Sequence, residues 1–346
     1  MTNLSIENLL CCPICKNRLT FDSELFSCAF CGEKFTKNKN IYDFQIRVDD
    51  QDRNHKEKFE QLILNNKSSK WFTQIFNYLS PVEYFEALLD PHLKEINEYN
   101  KKFIAEGINI GERYDNLIFH QSKNDLHIIS AMRYISKIKN KNIALDVGCG
   151  TLRVTKALLK MGFKQVIAID FLPELMSYGY EKLSDEDKKR VFLVKADVRF
   201  LPFQESSIDL IFALELFEHI NAPKLMLLDL KRILNNNGIG IMNTWNASEI
   251  RHRKIIKQEG KSYYKNGFFY KLYELKELKK ILKEVNVDFS VRLHGIYFGA
   301  YLSNLLGNGF AKIISLLDYL FSFFLPKFLF HYLLFVFKKE NIVYKK

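Results

Sequence analysis

Six cysteines, a glycine turn preceded by an acid, two further strand-end acids and a Glu–His cluster are the residues of this chain whose types and spacing could do chemistry. Cys12-Pro13-Ile14-Cys15 and Cys28-Ala29-Phe30-Cys31 form a CxxC-x12-CxxC pattern, closed by Gly32. Each knuckle sets two thiolates on one side of a tight turn, and together they complete a tetrahedral Zn²⁺ site. All four positions are protein ligands, so the expected metal is structural, and it would hold together a piece with little core of its own. The alternative, a redox CxxC, lacks the surrounding βαβ pattern. Cys11 is a spare thiol.

The second group lies in the stretch 144–152, Ala-Leu-Asp-Val-Gly-Cys-Gly-Thr-Leu. An apolar run over 142–147 followed by two close glycines reads as a buried parallel strand feeding a tight turn and a helix N-terminus. A Cβ at Gly148 or Gly150 would fill the space a ligand needs. Asp146 decides which ligand. A dinucleotide pyrophosphate at a helix N-terminus would be repelled by it, whereas a ligand with an ammonium or sulfonium group would be attracted. A strand and turn with no ligand is the bland alternative.

The elements that must position these groups follow in order. A helix over 154–161 leads to a strand over 165–169 that ends in Asp170, 24 residues after Asp146. An acid at that distance and at a strand's C-terminal edge can accept hydrogen bonds from both ribose hydroxyls. Pro173 starts a helix over 174–183, and 191–196 is a third strand that ends in Asp197-Val198. Pro202-Phe203 turns the chain into a fourth strand, 208–214. Three strands ending in acids at one sheet edge make a ligand crevice. A helix over 223–234 closed by Asn235-Asn236-Asn237-Gly238 then leads to a strand over 239–243. A helix over 275–285 and strands over 289–298 and 331–337 complete the pattern.

On these residues the chain resembles the class I S-adenosylmethionine-dependent methyltransferases, from about residue 125 to 340. The resemblance implies a doubly wound, Rossmann-like α/β fold with a seven-stranded mixed sheet, its last strand antiparallel, and a small zinc ribbon ahead of it. It implies S-adenosyl-L-methionine held by Asp146, Gly148, Gly150, Asp170, Asp197, Val198 and Leu214, with the carboxylate of Asp197 on the adenine amine and the next N–H on the ring. Leu152 stands where the family's motif has a third glycine, which touches helix packing and not the ligand-facing positions. The ribbon, down to Ile41-Tyr42-Asp43-Phe44, looks like those fused ahead of some bacterial methyltransferases and of an rRNA guanine methyltransferase family.

Glu215, Glu218 and His219 are spaced i, i+3 and i+4, which puts them on one face if the turn is helical. In the family this face lies at the mouth of the methyl-transfer site. The spacing is similar to that of a quinone-biosynthesis O-methyltransferase branch, where it is associated with a divalent metal. Three readings stand: Mg²⁺ or Zn²⁺ binding, acid–base work by His219 and Glu218, and substrate positioning or turn structure. The family also places acceptor contacts after the fifth strand, which makes Trp245, Asn246 and Tyr263 the acceptor candidates.

Residues 1–46 are thus expected to be the ribbon, 47–140 a linker and helical lid region, and 141–346 the methyltransferase core. Within 47–140, 49–58 is a charged linker and 71–79 and 82–89 are apolar-periodic pieces separated by Pro81. His120, His127 and Arg133 read as surface or packing residues. The 346-residue chain is 47% hydrophobic and carries a net charge of +11. Residues 231–346 hold 20 Lys+Arg against 8 Asp+Glu, so the first 230 residues sum to −1. That asymmetry points to an anionic surface, lipid or nucleic acid, or to a solvated basic face. The first residues lack the basic start and apolar core of a signal peptide, and the clustered cysteines are no disulfide framework, so a cytoplasmic protein is expected.

Residues 313–337 are long and apolar enough to span a bilayer, but Asp318, Pro326, Lys327 and His331 interrupt them; a mid-span Asp or Lys costs about 2.5–3.5 kcal/mol. The family offers another parse, with 331–337 as the seventh strand and an apolar insert at 310–325. Such an insert beside a basic surface reads as a peripheral contact with the inner membrane face, as a dimer contact or as core packing. The expected activity is methyl transfer to a small-molecule or lipid-linked acceptor. RNA methylation is the second reading, and a scaffold that binds the methyl donor without turnover is the third.

Overall fold

The computed structural model describes residues 5–46, 69–88, 104–121, 131–135, 138–265, 267–296 and 320–339, with short pieces at 57, 61–63, 65, 101–102, 128, 313 and 316–317. Four short strands come first: β1 (Thr20–Asp22), β2 (Leu25–Ser27), β3 (Lys34–Asn38) and β4 (Ile41–Asp43). Helices α1 (Lys70–Ile75), α2 (Pro81–Leu88) and α3 (Ile110–Gln121) follow. The main alternation then runs β5 (Ile143–Val147), α4 (Arg153–Lys160), β6 (Gln165–Asp170), α5 (Pro173–Glu181), α6 (Asp185–Lys188), β7 (Val191–Lys195), β8 (Ile208–Ala213), α7 (Pro223–Ile233) and β9 (Leu234–Trp245). Helix α8 (Ile250–Glu259), the hairpin β10 (Ser262–Lys265) and β11 (Phe268–Lys271), α9 (Leu275–Glu284), β12 (Val287–Ile296) and β13 (Phe330–Lys339) complete it.

The strand order β7-β6-β5-β8-β9-β13-β12 is that of a doubly wound sheet, with β13 antiparallel to both neighbours. Every residue of β5 and β8 is buried. Both faces of a parallel sheet are covered by crossover helices, so its strands read as continuous apolar runs. Alternate residues feed two cores: Leu145, Ile167 and Ile211 enter one, and Ala144, Ala168 and Phe212 the other. That follows from the two-residue period of a strand.

The sheet has eleven strands, not the seven expected, because the ribbon is part of it. β4 pairs parallel with β7, Ile41 opposite Leu193 and Asp43 opposite Lys195, and Phe44 N–H donates to Lys195 O at 2.8 Å. Without β4, β7 would present an unpaired edge, which sheet proteins cover or blunt. The ribbon's Phe26, Phe44 and cysteines share one core with Val194, Phe200 and Leu201. The strands of residues 1–46 are therefore continuous with the main sheet.

Two further boundaries differ from the pattern reading. β9 begins at Leu234, opposite Ile208, and the Asn-rich run expected as a turn lies inside the strand at a register shift. Helices α1 and α2, expected as lid, pack on the ribbon instead. Tyr84 is buried, its hydroxyl donates to Ile14 O at 3.0 Å, and its ring meets Phe200 edge-on. His127 lies outside the described residues.

A buried ion-pair cluster fastens the ribbon to the core. Lys16 Nζ is 2.6 Å from Asp229 Oδ2 and donates to Leu201 O, while Arg232 pairs with Asp229 at 2.6 Å. Breaking such a pair leaves a buried carboxylate under-satisfied. Lys16→Met is expected to cost about 1–3 kcal/mol, below the usual figure for a broken buried pair because Arg232 still meets Asp229. Urea unfolding followed by both far-UV circular dichroism and Trp71 fluorescence should remain one coincident transition; two separated transitions would show that the ribbon folds independently.

Candidate active site

Asp146, Asp170 and Asp197 lie at the C-terminal edge of β5, β6 and β7, beside the point where the strand order reverses between β5 and β8. Open α/β sheets bind ligands at such a point because the flanking loops diverge there. A cavity of about 710 Å³ lined by Lys231, Asn286 and Lys339 lies instead at the opposite edge, away from these acids.

The glycine turn has the required conformation. Gly148 has φ 71° and Gly150 φ 48°, the left-handed region that disfavours a Cβ. A Cβ would come within 3.1 Å of Leu216 at the first and of Tyr114 at the second. Leu152, at φ 64°, takes the same backbone shape without being glycine.

Asp146 is buried, and its Oδ2 accepts from the Thr155 hydroxyl at 2.6 Å. Burial pushes its carboxyl up to about 7, opposed by the Thr155 hydrogen bonds and assisted by the Asp170 charge. Asp170 accepts from Gly150 N–H at 2.9 Å on one oxygen and from Leu172 N–H at 3.0 Å on the other. Burial raises its pKa as well, against those N–H groups. Each carboxylate oxygen has two lone pairs, and with the Phe171 N–H also directed at the group, room remains for a ligand hydroxyl. A buried carboxylate without a cation is costly, and a ligand ammonium or sulfonium would relieve it. The residues fit the group the motif implies.

Asp197 is buried too, but its carboxylate is gripped by Arg199, with Nε 3.0 Å from both oxygens and Nη2 2.6 Å from Oδ2. Sequence reasoning missed Arg199, which also reaches Asn221 Oδ1 at 2.9 Å. Val198 is buried and Leu214 half-buried beside this edge. Helix α3, within the stretch expected to hold lid helices, lies over the glycine turn. Tyr114 borders Gly150, and Asp115 accepts from the Thr151 hydroxyl at 2.5 Å.

The side where the acceptor residues were expected is built from aromatic rings. Trp245, half-buried at the end of β9, lies 6.5 Å from the His219 ring and 5.8 Å from Tyr270. Tyr263 stacks on Tyr270 at 5.1 Å, and Tyr270 meets His219 edge-on at 4.7 Å. Three sequence candidates, Trp245, Tyr263 and His219, are thus brought together around Tyr270, which was not among them. The available signal was Asn266-Gly267 between two aromatic runs, a strong hairpin signature; Gly267 has φ 78°. His219 Nδ1 lies 2.9 Å from Phe269 O. A carbonyl only accepts, so Nδ1 carries the proton and Nε2 the lone pair.

Three expectations are corrected. Glu215, Glu218 and His219 do not share a helical face, because Glu215 sits at φ 55° and only Phe217–His219 form a 3₁₀ turn. Glu215 accepts from the Tyr332 hydroxyl instead. Glu218 is fully buried, and burial plus the Glu215 charge raise its pKa to about 8. Among the described residues these three are not one of the converging metal-ligand sets. Asn246, expected at the acceptor, is 1% exposed, and its Nδ2 donates to Lys327 O and Phe330 O at 2.9 and 2.8 Å. It is a bracing residue.

Away from this edge, the Sγ atoms of Cys12, Cys15, Cys28 and Cys31 lie within 4.8 Å of one another, buried and free of disulfides, with 3.5 Å between Cys12 and Cys31 and between Cys15 and Cys28. Four thiolates around one Zn²⁺ at ~2.3 Å would have similar separations. Cys11 points elsewhere, to Phe203 O.

Residues 145–242 match the family model of the methyltransferase domain. An uncharacterised chloroplastic methyltransferase of Arabidopsis thaliana is 27% identical over 165 residues, covering 45% of this chain and 46% of the relative. The mitochondrial ubiquinone biosynthesis O-methyltransferase of Dictyostelium discoideum is 24% identical over 201 residues, covering 56% of this chain and 54% of the relative. The chain spans about half the length of the curated relatives it matches. Among solved structures, an S-adenosylmethionine-dependent methyltransferase from Archaeoglobus fulgidus is similar with a TM-score of 0.45 and 16% identity, over 65% of this chain and 100% of that one. Residues 145–242 are thus similar to a methyltransferase domain, in keeping with the strand order and the acid-flanked glycine turn.

Two titrations follow from the buried acids. Only ionised Asp146 attracts a cationic ligand, so affinity for S-adenosylmethionine should rise up to about tenfold per pH unit towards pH 7 and level off above it. Calorimetric titration from pH 5.5 to 8.5 checks this, and Asp146→Asn should bind weakly with no such slope. Glu218 has a raised folded-state pKa, so the folded protein holds a proton that the unfolded chain releases above about 4.5. Its stability contribution is therefore lost as pH rises towards about 8. Glu218→Gln should gain stability over wild type by up to about 1.4 kcal/mol per pH unit across that window, read by denaturant unfolding.

Proposed function

We propose that this chain transfers the methyl group of S-adenosylmethionine to a small acceptor with a planar apolar part. The observation that carries this reading is the aromatic cluster of Trp245, Tyr263, Tyr270 and His219 at the sheet edge that also bears the three acids. Flat apolar walls with few polar groups suit a small aromatic or isoprenoid-like molecule.

On this reading Gly148 and Gly150 let the backbone close on the methyl donor, Asp146 faces its ammonium, and Asp170 accepts from its ribose. Asp197 and the Val198 N–H take the adenine, with Arg199 sharing the Asp197 carboxylate, and Leu214 lies beside them. The methyl donor supplies a carbon already activated by positive sulfur, so the protein's contribution is mainly proximity and alignment. His219 is the base, since its Nδ1–H is committed to Phe269 O and its Nε2 lone pair can take the acceptor's proton. The four-cysteine cluster holds a structural Zn²⁺.

A lipid-linked acceptor is favoured by the insert. Leu316, Leu320, Phe321 and Phe323 are exposed, and Phe324 is 84% exposed. Such a surface beside a basic third of the chain suits shallow contact with an anionic leaflet. Among the described residues no helix is long and apolar enough to cross a membrane. RNA methylation is the second reading, favoured by the exposed Arg253, Lys254 and Lys257 of α8.

Methyl-labelled donor incubated with the protein, a cell lipid extract and total RNA tests both. Label should enter the organic-soluble fraction, at a rate lowered about 10²-fold or more by His219→Ala. Label in RNA alone, lost with salt, would replace the first reading by the second. Anionic liposomes should co-sediment wild type but not the Phe321, Phe323 and Phe324 to Ser triple variant; wild type left in the supernatant would remove the membrane contact.

A further inference from the structure

Glu249, His252 and His331 bring one carboxylate oxygen and two ring nitrogens within 4.8 Å of one another, outside every motif the sequence offered. They come from distant parts of the chain. Glu249 caps α8, His252 lies in its first turn, and His331 lies near the start of β13. Glu249 is 0% exposed, and its Oε2 accepts from the N–H groups of Arg251 and His252, both at 3.0 Å. That fixes the carboxylate.

Asn246 fixes the two imidazoles. Its carbonyl is 2.8 Å from His252 Nδ1, so that nitrogen carries the proton and Nε2 the lone pair. A histidine anchored through one N–H to a backbone carbonyl is the usual second-shell arrangement of a metal ligand. The Asn246 N–H donates to His331 O at 2.9 Å, and its amide holds the turn just before His331 through Lys327 O and Phe330 O. The two imidazole rings lie 4.4 Å apart, and the indole of Trp245 stacks on His252 at 5.2 Å and 14°. One buried asparagine thus aligns the whole set.

We propose that Glu249, His252 and His331 form a metal site for a divalent ion of the zinc type, separate from the cysteine cluster. Two imidazoles and a carboxylate suit Zn²⁺ and leave a fourth position for water or a ligand heteroatom, the pattern of open sites and not of structural ones. Arg251 is already bound to this set, with Nε 2.8 Å from Glu249 Oε1 and Nη2 3.0 Å from His331 Nδ1. The cluster therefore draws a cation. The Arg251 side chain is 48% exposed, so it can swing outward and yield its place. That the open position would serve the acceptor, through the neighbouring Trp245, rests on the methyl-transfer reading; the metal site does not.

The test uses the full chain with any affinity tag removed, and Zn²⁺ and Co²⁺ as probes. Equilibrium dialysis against Zn²⁺ should give two ions per chain. His331→Gln and His252→Asn should each lose one of them, and Cys28→Ser the other. Arg251→Ala should bind the second ion about tenfold more tightly, since it removes a competing cation. A second equivalent of Co²⁺ should add visible absorption without the near-ultraviolet thiolate bands of the first. Retained S-adenosylmethionine binding in His331→Gln certifies its fold, and that half-buried position makes it the milder variant. One ion per chain at saturation in wild type, or a second ion kept by both histidine variants, would overturn the site whether or not methyl transfer is observed.

Discussion

Asp229 has no exposure at all, and three parts of the chain converge on its carboxylate. Lys16 reaches it from the ribbon, Arg232 from the next turn of its own helix, and the Leu201 N–H from the loop after β7 at 2.7 Å. A carboxylate taken out of water must have its lone pairs filled, and removing one partner strands the charge. The position of the cysteine module is thereby tied to the loop that runs from Asp197 through Arg199 to Leu201. Lys16 adopts φ 59°, an uncommon shape for a lysine, immediately after the first pair of cysteines. The knuckle that gathers those thiols also aims the ammonium inward.

The crevice obeys a different rule. Among the described residues, no lysine or arginine forms an ion pair with the buried Asp146 or Asp170, and both have raised pKa values. Asp197, by contrast, already holds Arg199. The edge is thus partly neutralised at the end that would meet a base, and left acidic at the end that would meet an ammonium. Such an uneven distribution orients a ligand that is cationic at one end only.

The main alternation from β5 to β9 was legible because most of its strands are continuous apolar runs, whereas α6, α8 and the hairpin of β10 and β11 were not read from the sequence. The strand-end placement of Asp146, Asp170 and Asp197 was legible because they stand at fixed places relative to those runs. What escaped the sequence depends on contacts distant in the chain. Nothing in Ile41-Tyr42-Asp43 announces β7 as its partner, since edge pairing is made by backbone groups and leaves little side-chain code. The Glu215–His219 spacing misled because a residue at positive φ interrupts the turn, and spacing arguments presume helical backbone throughout. Asn246 looked like a contact for an acceptor because polar residues after a strand often are. Its burial and its bonds to 327–331 come from β13, some 85 residues later.

The pairing of β4 with β7 also sets an order of events during synthesis. The ribbon leaves the ribosome first, but β7 and Asp229 emerge much later, roughly 10–40 s at ordinary elongation rates. Until then Phe26, Tyr42 and Phe44 have no outer partner, and the edge that will receive β7 is open. Contacts of such long sequence separation form slowly. The ribbon, made before its partner strand, must therefore wait, held by its own four thiols, and is among the last parts to be locked in place.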